Sequence, residues 1–421
     1  MRQRTLRLPI SNFRDCIFFE DCYNGPVGPI DRASFVPHRD APVIIHTRLI
    51  RFFPCLQKTQ PDEPKFIKHK KKEVKMKIVV LAAGTSTERD VSIVSGTGIC
   101  KALRRLGHQA ILLDVFFGWK EADPKTAFDG EYDTDNAAEY IKSFNPQLEE
   151  AKKNRRSFFG PNVIALCEQA DIVFLALHGS NGEDGRVQAT FDLLGIKYTG
   201  TDYISSAISM DKSRTKQVFQ ASGVNTPVGI TIYRGDSRRS AAEFGMQLPV
   251  IVKPCCGGSS VGITICRTEE DVRKGIDLAF QLETSAVVEE FIEGGEFTCC
   301  VIDQKAYPVV MITPKTGYYD FKNKYTAGAT EELCPAPISD ELTARIQKEA
   351  LKAADAVGLI GYGRMDFLVR KSDQKVFCLE VNTLPGMTPT SLVPQEAAAV
   401  GIDFDHLCQK LIDVSLRRYE Q

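Results

Sequence analysis

Apolar positions recur along the chain in two periods. Residues 78–83 form an unbroken apolar run, the mark of a strand buried on both faces. A Gly/Thr/Ser loop follows, then a helix-period segment at about 91–106 and a second apolar run at 110–115. Another run at 171–177 leads into His178-Gly179 and a turn-rich loop. Strands alternating with helices imply a parallel sheet with helices on its faces, and the ligands of such sheets lie at the C-terminal ends of the strands. A helical stretch at about 205–223 bridges to a second region, where 249–253, 262–266, 286–291, 296–302 and 306–312 read as short strands around a helix at about 269–282. A third region predicts a long helix at about 340–357, strands at 363–369 and 376–382, and a closing helix after Phe404. The expected class is α/β with α+β parts. Its N-terminal parallel-sheet domain covers 76–200, a small central subdomain 201–283 and a C-terminal subdomain 284–421.

Residues 1–75 break this pattern. They alternate Pro, Gly, aromatics and Arg without a sustained period and end in Lys68, His69, Lys70, Lys71 and Lys72. This arm holds 15 Lys and Arg against 8 Asp and Glu, and the remainder 38 against 46, so the net charge of -1 joins a basic arm to an acidic body. A nucleic-acid arm would be denser in bases. A transit peptide would be poor in acids, whereas Asp15, Glu20, Asp21, Asp31 and Asp40 interrupt this one. Lys72-Glu73-Val74-Lys75-Met76 can be encoded as AAG-GAG-GTG-AAA-ATG, which holds a bacterial ribosome-binding sequence just before a start codon. Translation is therefore expected to begin at Met76, with the arm as upstream sequence read in frame.

Composition narrows the class further. With 43% hydrophobic and 25% charged residues the chain is an ordinary globular one, and no run approaches the roughly 20 apolar residues of a membrane helix. Its near-neutral total gives no general attraction to nucleic acid or membrane. The 13 cysteines, including the adjacent pairs Cys255-Cys256 and Cys299-Cys300, show no CxxC zinc spacing, as expected of buried thiols in a reducing cytoplasm.

Polar residues set into the apolar runs carry the candidate chemistry. The stretch 249–262, Pro-Val-Ile-Val-Lys-Pro-Cys-Cys-Gly-Gly-Ser-Ser-Val-Gly, puts Lys253 at the end of an apolar strand ahead of a Gly/Ser loop. Glycines let backbone N–H groups approach a ligand, and a lysine leaving an apolar run needs an anionic partner. Phosphate binding is therefore favoured over a hairpin with a snorkelling lysine. GxxxxGK[ST] is absent, which excludes a P-loop. Further on, Arg364 and Asp366 share one side of a strand, and Glu380 and Asn382 one side of another. If those strands pair, two carboxylates and an amide oxygen converge beside an arginine, an all-oxygen set suited to Mg2+ held jointly with substrate phosphates. A structural salt bridge would account for Arg364 with Asp366, but not for Glu380 and Asn382 as well. The turn at 384–392 offers backbone N–H groups and hydroxyls beside that set, fit for a carboxylate or oxyanion. Residues 287–296 read as strand, glycine hinge and strand, with Glu296 of interest only beside a nucleotide. The aromatic, basic loop at 317–330 has the character of a lid.

Taken in order, 84–92 (Gly-Thr-Ser-Thr-Glu-Arg-Asp-Val-Ser), 178–185 (His-Gly-Ser-Asn-Gly-Glu-Asp-Gly), 209–212 (Ser-Met-Asp-Lys), the Lys253 loop, 289–296, Lys324-Tyr325, 363–366 and 380–392 resemble the D-alanine:D-alanine ligases of the ATP-grasp superfamily. The resemblance covers essentially all of the chain from Met76, and eight motifs in one order make it specific. It implies the three-domain ATP-grasp fold, with a Rossmann-like N-terminal domain, and a bacterial, cytoplasmic, homodimeric enzyme of peptidoglycan precursor synthesis. By the same resemblance Lys212 and Lys253 grip ATP phosphates under a loop carrying Ser259 and Ser260, Glu289, Glu290 and Ile292 meet adenine, and Glu296 the ribose. Asp366, Glu380 and Asn382 hold two Mg2+ ions, with Mn2+ as a substitute. Glu88 binds the ammonium of the first D-alanine and links to Ser259 and Tyr325. Arg364 and Gly386 stabilise the tetrahedral intermediate. Ser391 and Leu392 receive the carboxylate of the second D-alanine, and His178 and Lys324 lie near the substrates.

The implied reaction follows from what a carboxylate cannot do unaided. ATP phosphorylates the first D-alanine to an acyl phosphate, and the amine of the second displaces phosphate. Tyr325 favours a dipeptide over D-alanyl-D-lactate. D-Serine as acceptor is the alternative, since a side-chain change in a pocket is worth only roughly 1–3 kcal/mol. A nucleotide-binding regulator that had lost catalysis would be free to lose Arg364 and the metal set. A Rossmann-type oxidoreductase would carry GxGxxG after Ala83, which this chain lacks.

Overall fold

The structure is a computed structural model in which the described residues are 75–258, 260–315 and 329–420; the basic arm up to Val74, Ser259 and the loop bearing Lys324 and Tyr325 lie outside them. The first apolar runs become β1 (Lys77–Ala82), β2 (Gln109–Asp114) and β3 (Ile172–Leu175), a parallel sheet of order β2-β1-β3. Its helices are α1 (Arg89–Arg105), α2 (Thr134–Lys142), α3 (Leu148–Asn154), α4 (Val163–Glu168) and α5 (Arg186–Leu194). The unbroken apolar run of β1 has a simple cause. Ile78, Val80 and Ala82 pack with Ile93, Ile99 and Leu103 of α1, while Val79 and Leu81 pack with Val163 and Leu166 of α4 and Phe191 of α5. Both faces are covered, so neither can be polar.

The second region opens with α6 (Tyr203–Met210) and α7 (Lys212–Ala221). The helical stretch expected over 205–223 is divided at Asp211, which ends α6 and caps α7 by accepting the Ser213 N–H at 2.9 Å and the Arg214 N–H at 3.2 Å. Lys212 thereby stands on the first turn of α7. Then come β4 (Gly229–Tyr233), β5 (Val250–Pro254), β6 (Thr264–Cys266), α8 (Glu269–Leu282) and β7 (Ser285–Glu290), an antiparallel sheet of order β4-β7-β5-β6. A capping box of Thr268 and Asp271 starts α8, whose Val272, Ile276 and Ala279 pack on Val250, Val252 and Val288. Because β7 is hydrogen-bonded between β4 and β5, this sheet continues past residue 283.

The third region contains β8 (Gly294–Ile302), β9 (Lys305–Ala306), β10 (Val310–Pro314), β11 (Thr330–Leu333), α9 (Asp340–Ala356), β12 (Tyr362–Arg370), β13 (Val376–Asn382), α10 (Leu392–Ala399) and α11 (Phe404–Leu416). Its antiparallel sheet runs β11-β10-β8-β12-β13, with β9 beside β8. The single strand expected at 306–312 is two, β9 and β10, because Pro308 between them has no N–H to give to a ladder. Helix α9 covers one face through Ile346, Ala350 and Ala353 against Val301, Met365 and Phe367. Helix α11 returns to the N-terminal part, where Leu407 and Leu411 join the cluster of α1 and β1. The ends of β3 and β13 are thereby brought to one place.

Candidate active site

Strands β12 and β13 pair with Asp366 opposite Glu380 and Arg364 opposite Asn382. Arg364 donates through Nε to Asp366 Oδ1 at 2.9 Å and through Nη2 to Oδ2 at 2.8 Å. Thr298 Oγ1 donates to Asp366 Oδ1 at 2.7 Å, and Asn382 Nδ2 to Oδ2 at 3.0 Å. Arg364, Thr298, Asp366 and Asn382 thus form one hydrogen-bonded group in which Asn382 turns its amide N–H, not its oxygen, to Asp366, while Glu380 stands opposite Asp366 in the register and has its Oε2 near Lys212. Among the described residues no cluster of three or more His, Cys, Asp or Glu is placed to cage a metal. Two carboxylates and one amide oxygen would leave much of a cation's shell to phosphate and water oxygens, and this suits Mg2+ better than a metal needing a full protein cage.

The lysines come from the central region. Lys212 Nζ donates to the carbonyl of Gly257 at 2.9 Å and stands 3.2 Å from Glu380 Oε2, tying α7, the glycine loop and β13 together. Burial lowers its pKa, but Glu380 outweighs this and the net shift is upward. Lys253, buried near the end of β5, pairs with Glu289 Oε1 on the adjacent β7. Glu289 Oε2 stands 2.6 Å from Nζ of Lys216, a residue not singled out from sequence. Burial would raise the Glu289 carboxyl, yet Lys253 and Lys216 overcome it and hold it below the usual range. Gly257, at φ +110°, adopts a conformation open to glycine, so the loop after β5 turns back over Lys212. Ser260 follows in the left-handed region at φ 60°.

Residues 289–296 cover the end of β7 and the passage into β8, the link between the two antiparallel sheets. Ile292 is buried there and Glu296 half-buried. Glu290 Oε1 accepts the Val228 N–H at 2.8 Å, so its side chain bonds the start of β4.

The third contribution lies at the C-terminal end of the parallel sheet. Glu88, just before α1, has Oε2 3.2 Å from where a Cβ on either Gly179 or Gly258 would stand, so the carboxylate sits between the β3 loop and the glycine loop. His178 is buried, with Nδ1 3.1 Å from the carbonyl of Leu384 and Nε2 3.3 Å from Ser95 Oγ. A carbonyl partner puts the proton on Nδ1, and Nε2 then accepts from Ser95. Burial holds the imidazole below its ordinary pKa despite the charge of Glu88, so the ring is neutral. Glu183 joins the same two loops by accepting the Gly179 N–H at 2.7 Å and the Leu384 N–H at 3.4 Å, and burial with the Glu88 charge pushes its pKa up to about 8. Both Ser95 and Glu183 escaped the sequence reading. Glu183 lay inside a quoted motif, and Ser95 is one polar residue on the inward face of α1.

The turn after β13 is built around Ser391. Its Oγ accepts the Thr388 N–H at 3.0 Å, and a Cβ on Gly386 would come within 2.8 Å of it. Leu392 places its side chain in the apolar cluster of Val310 and Ile312, so backbone alone is left to it for ligand contact. Of the expected site residues, Ser259, Lys324 and Tyr325 fall outside the described residues. The others are distributed over the five neighbourhoods above.

Two antiparallel sheets joined by a short link, one bringing lysines and a glycine loop and the other paired carboxylates, define the ATP-grasp class of ligase fold. Family models described as D-ala D-ala ligase N-terminus and C-terminus match residues 77–201 and 218–413. The D-alanine--D-alanine ligase of Lacticaseibacillus casei is 41% identical over 351 residues, spanning 82% of this chain and 97% of its own. That of Halalkalibacterium halodurans is 37% identical over 347 residues, spanning 82% and 100%. A crystal structure of the Bacillus anthracis D-alanine--D-alanine ligase superposes with a TM-score of 0.64 at 30% identity, over 82% of this chain and 99% of that one. The same enzyme complexed with ATP gives 0.62 at 28%, over the same shares of the two chains. The chain belongs to the D-alanine–D-alanine ligase family.

Proposed function

We infer that this chain joins two molecules of D-alanine at the expense of ATP, giving D-alanyl-D-alanine, ADP and phosphate for peptidoglycan precursor synthesis. What carries the reading is the contact of Lys212 with Glu380: an ammonium fit for phosphate stands 3.2 Å from a carboxylate fit for a cation, so the two positions adjoin. The relatives compared are named D-alanine--D-alanine ligases, so D-serine as acceptor is not favoured.

The chemistry runs in two displacements. A carboxylate oxygen of the first D-alanine attacks the γ-phosphorus of ATP and ADP leaves; the amine of the second D-alanine then attacks the acyl carbon, the C–O bond breaks, and phosphate departs with that oxygen. Lys212 and Lys253 would hold the phosphates in line. Arg364, fixed by its fork onto Asp366, would meet the charge that grows on the acyl oxygen. Gly386, in the turn after β13, would present backbone N–H to the same oxygen, while Ser391 and the backbone of Leu392 would take the second carboxylate. Glu88, between two glycines that leave room around it, takes the first ammonium. His178, neutral and bonded on both nitrogens, orients the Leu384 turn and moves no proton. Asp366, Glu380 and Asn382 would hold two Mg2+ ions, or Mn2+, which supply charge neutralisation during phosphoryl transfer. Among the described residues no helix is long and apolar enough to cross a membrane. A cytoplasmic homodimer is the proposed working form.

Phosphate release from ATP, with D-alanine, L-alanine, D-serine and D-lactate supplied singly and in pairs, tests the reading. D-Alanine alone is expected to support full turnover. Turnover with L-alanine and none with D-alanine would overturn it.

A further inference from the structure

Lys216 lies one helical turn after Lys212 on α7 and is buried. Its ammonium has three N–H donors and three partners within reach: Glu289 Oε2 at 2.6 Å, the Pro227 carbonyl at 2.7 Å and Thr226 Oγ1 at 3.2 Å. Two donors go to Pro227 and Thr226, and the ammonium also stands as an ion pair against Glu289 Oε2, an oxygen with no hydrogen bond among the described residues. Lys253 differs, because among the described residues its ammonium is paired with Glu289 only. Glu289, 1% exposed, thus stands between two buried lysines, each on its own carboxylate oxygen. The trio carries one net positive charge in a place that water barely reaches. Such an excess calls for an anion from outside the trio.

We propose that Lys216 is a positioning residue for the nucleotide: by holding one oxygen of Glu289 it prevents that carboxylate from closing on Lys253 with both, and so leaves the Lys253 ammonium available to an incoming phosphate. This rests on the reading of Lys253 as a phosphate ligand. Removing Lys216 turns the trio into a neutral Lys253–Glu289 pair that satisfies itself. The fold then loses a buried excess charge and the site loses its pull on an anion. The two effects have opposite signs, which separates positioning from a merely structural role.

The test is Lys216→Met in the full chain, compared with wild type, Lys216→Arg and Lys253→Met. Three quantities are read: ADP affinity by calorimetric titration, steady-state KM for ATP and for D-alanine, and the thermal midpoint. For Lys216→Met the expected result is at least a tenfold weaker ADP affinity and a tenfold higher KM for ATP. The KM for D-alanine should stay within twofold, and the thermal midpoint should be unchanged or raised. Lys216→Arg, which keeps a cation on Glu289, should recover most of the loss. If Lys216→Met lowers the thermal midpoint and leaves KM for ATP unchanged while Lys253→Met raises it, the positioning role is overturned and the phosphate role of Lys253 stands. If Lys253→Met leaves KM for ATP unchanged, the underlying reading of Lys253 fails instead. Should Lys216→Met not fold, Lys216→Arg decides: ADP affinity equal to that of Lys253→Met overturns the proposal.

Discussion

Glu396 on α10 has no solvent exposure. Its Oε2 accepts the Cys300 N–H at 2.6 Å, and among the described residues its Oε1 has no hydrogen-bond partner. Burial is the main cause that pushes its pKa up to about 8 from an ordinary 4.5. Between those values the folded protein keeps a proton that the unfolded chain has lost, so stability falls as pH rises through the window and levels off above it. The slope is about 1.4 kcal/mol per pH unit for one such group, which makes about 3 kcal/mol between pH 5.5 and pH 8. Glu396→Gln keeps an acceptor for the Cys300 N–H and removes the titration. Denaturant unfolding of wild type and variant at pH 5.5 and pH 8 should show the variant gaining on wild type by about that amount as pH rises. The other titrating groups cancel in the comparison. Parallel pH dependences would show that Glu396 is ionised in the folded protein and that its burial is compensated by contacts not described above.

Substituting either metal-set carboxylate, Asp366→Ala or Glu380→Ala, should abolish turnover while circular dichroism stays that of the wild type; retained turnover would remove the cation proposal. Gly386→Ala places a Cβ 2.8 Å from Ser391 Oγ. It should therefore shift the turn and raise the KM for the acceptor D-alanine with ADP affinity unchanged, as read by acceptor titration and calorimetry.

A long apolar run made the parallel sheet legible, because β1 is buried on both faces, while β12 and β13 showed through the alternation of apolar residues that pack under α9. The paired carboxylates were legible for a related reason. Asp366 and Glu380 interrupt runs that packing alone would fill with apolar side chains, and strand alternation fixes which way they point. What stayed hidden were polar residues whose role depends on a partner distant in sequence. Lys216 has the appearance of any surface lysine of an amphipathic helix until Glu289, more than seventy residues on, meets it. Ser95 reads as a small residue in α1 until His178 and the turn after β13 close over it. Glu396 sits among alanines with nothing in the local period to mark its burial. Asp211 dividing two helices and Pro308 dividing two strands were visible in the sequence; what they divide is clear only with the hydrogen bonds in view.

The central claim is that the carboxylate of the first D-alanine is activated as an acyl phosphate before the amine attacks. D-Alanine labelled with 18O in both carboxylate oxygens, ATP and enzyme should yield phosphate carrying one 18O for each dipeptide formed, measured by mass spectrometry of the released phosphate. Unlabelled phosphate accompanying labelled dipeptide would mean that the carboxylate never bonded to phosphorus, and would contradict the account.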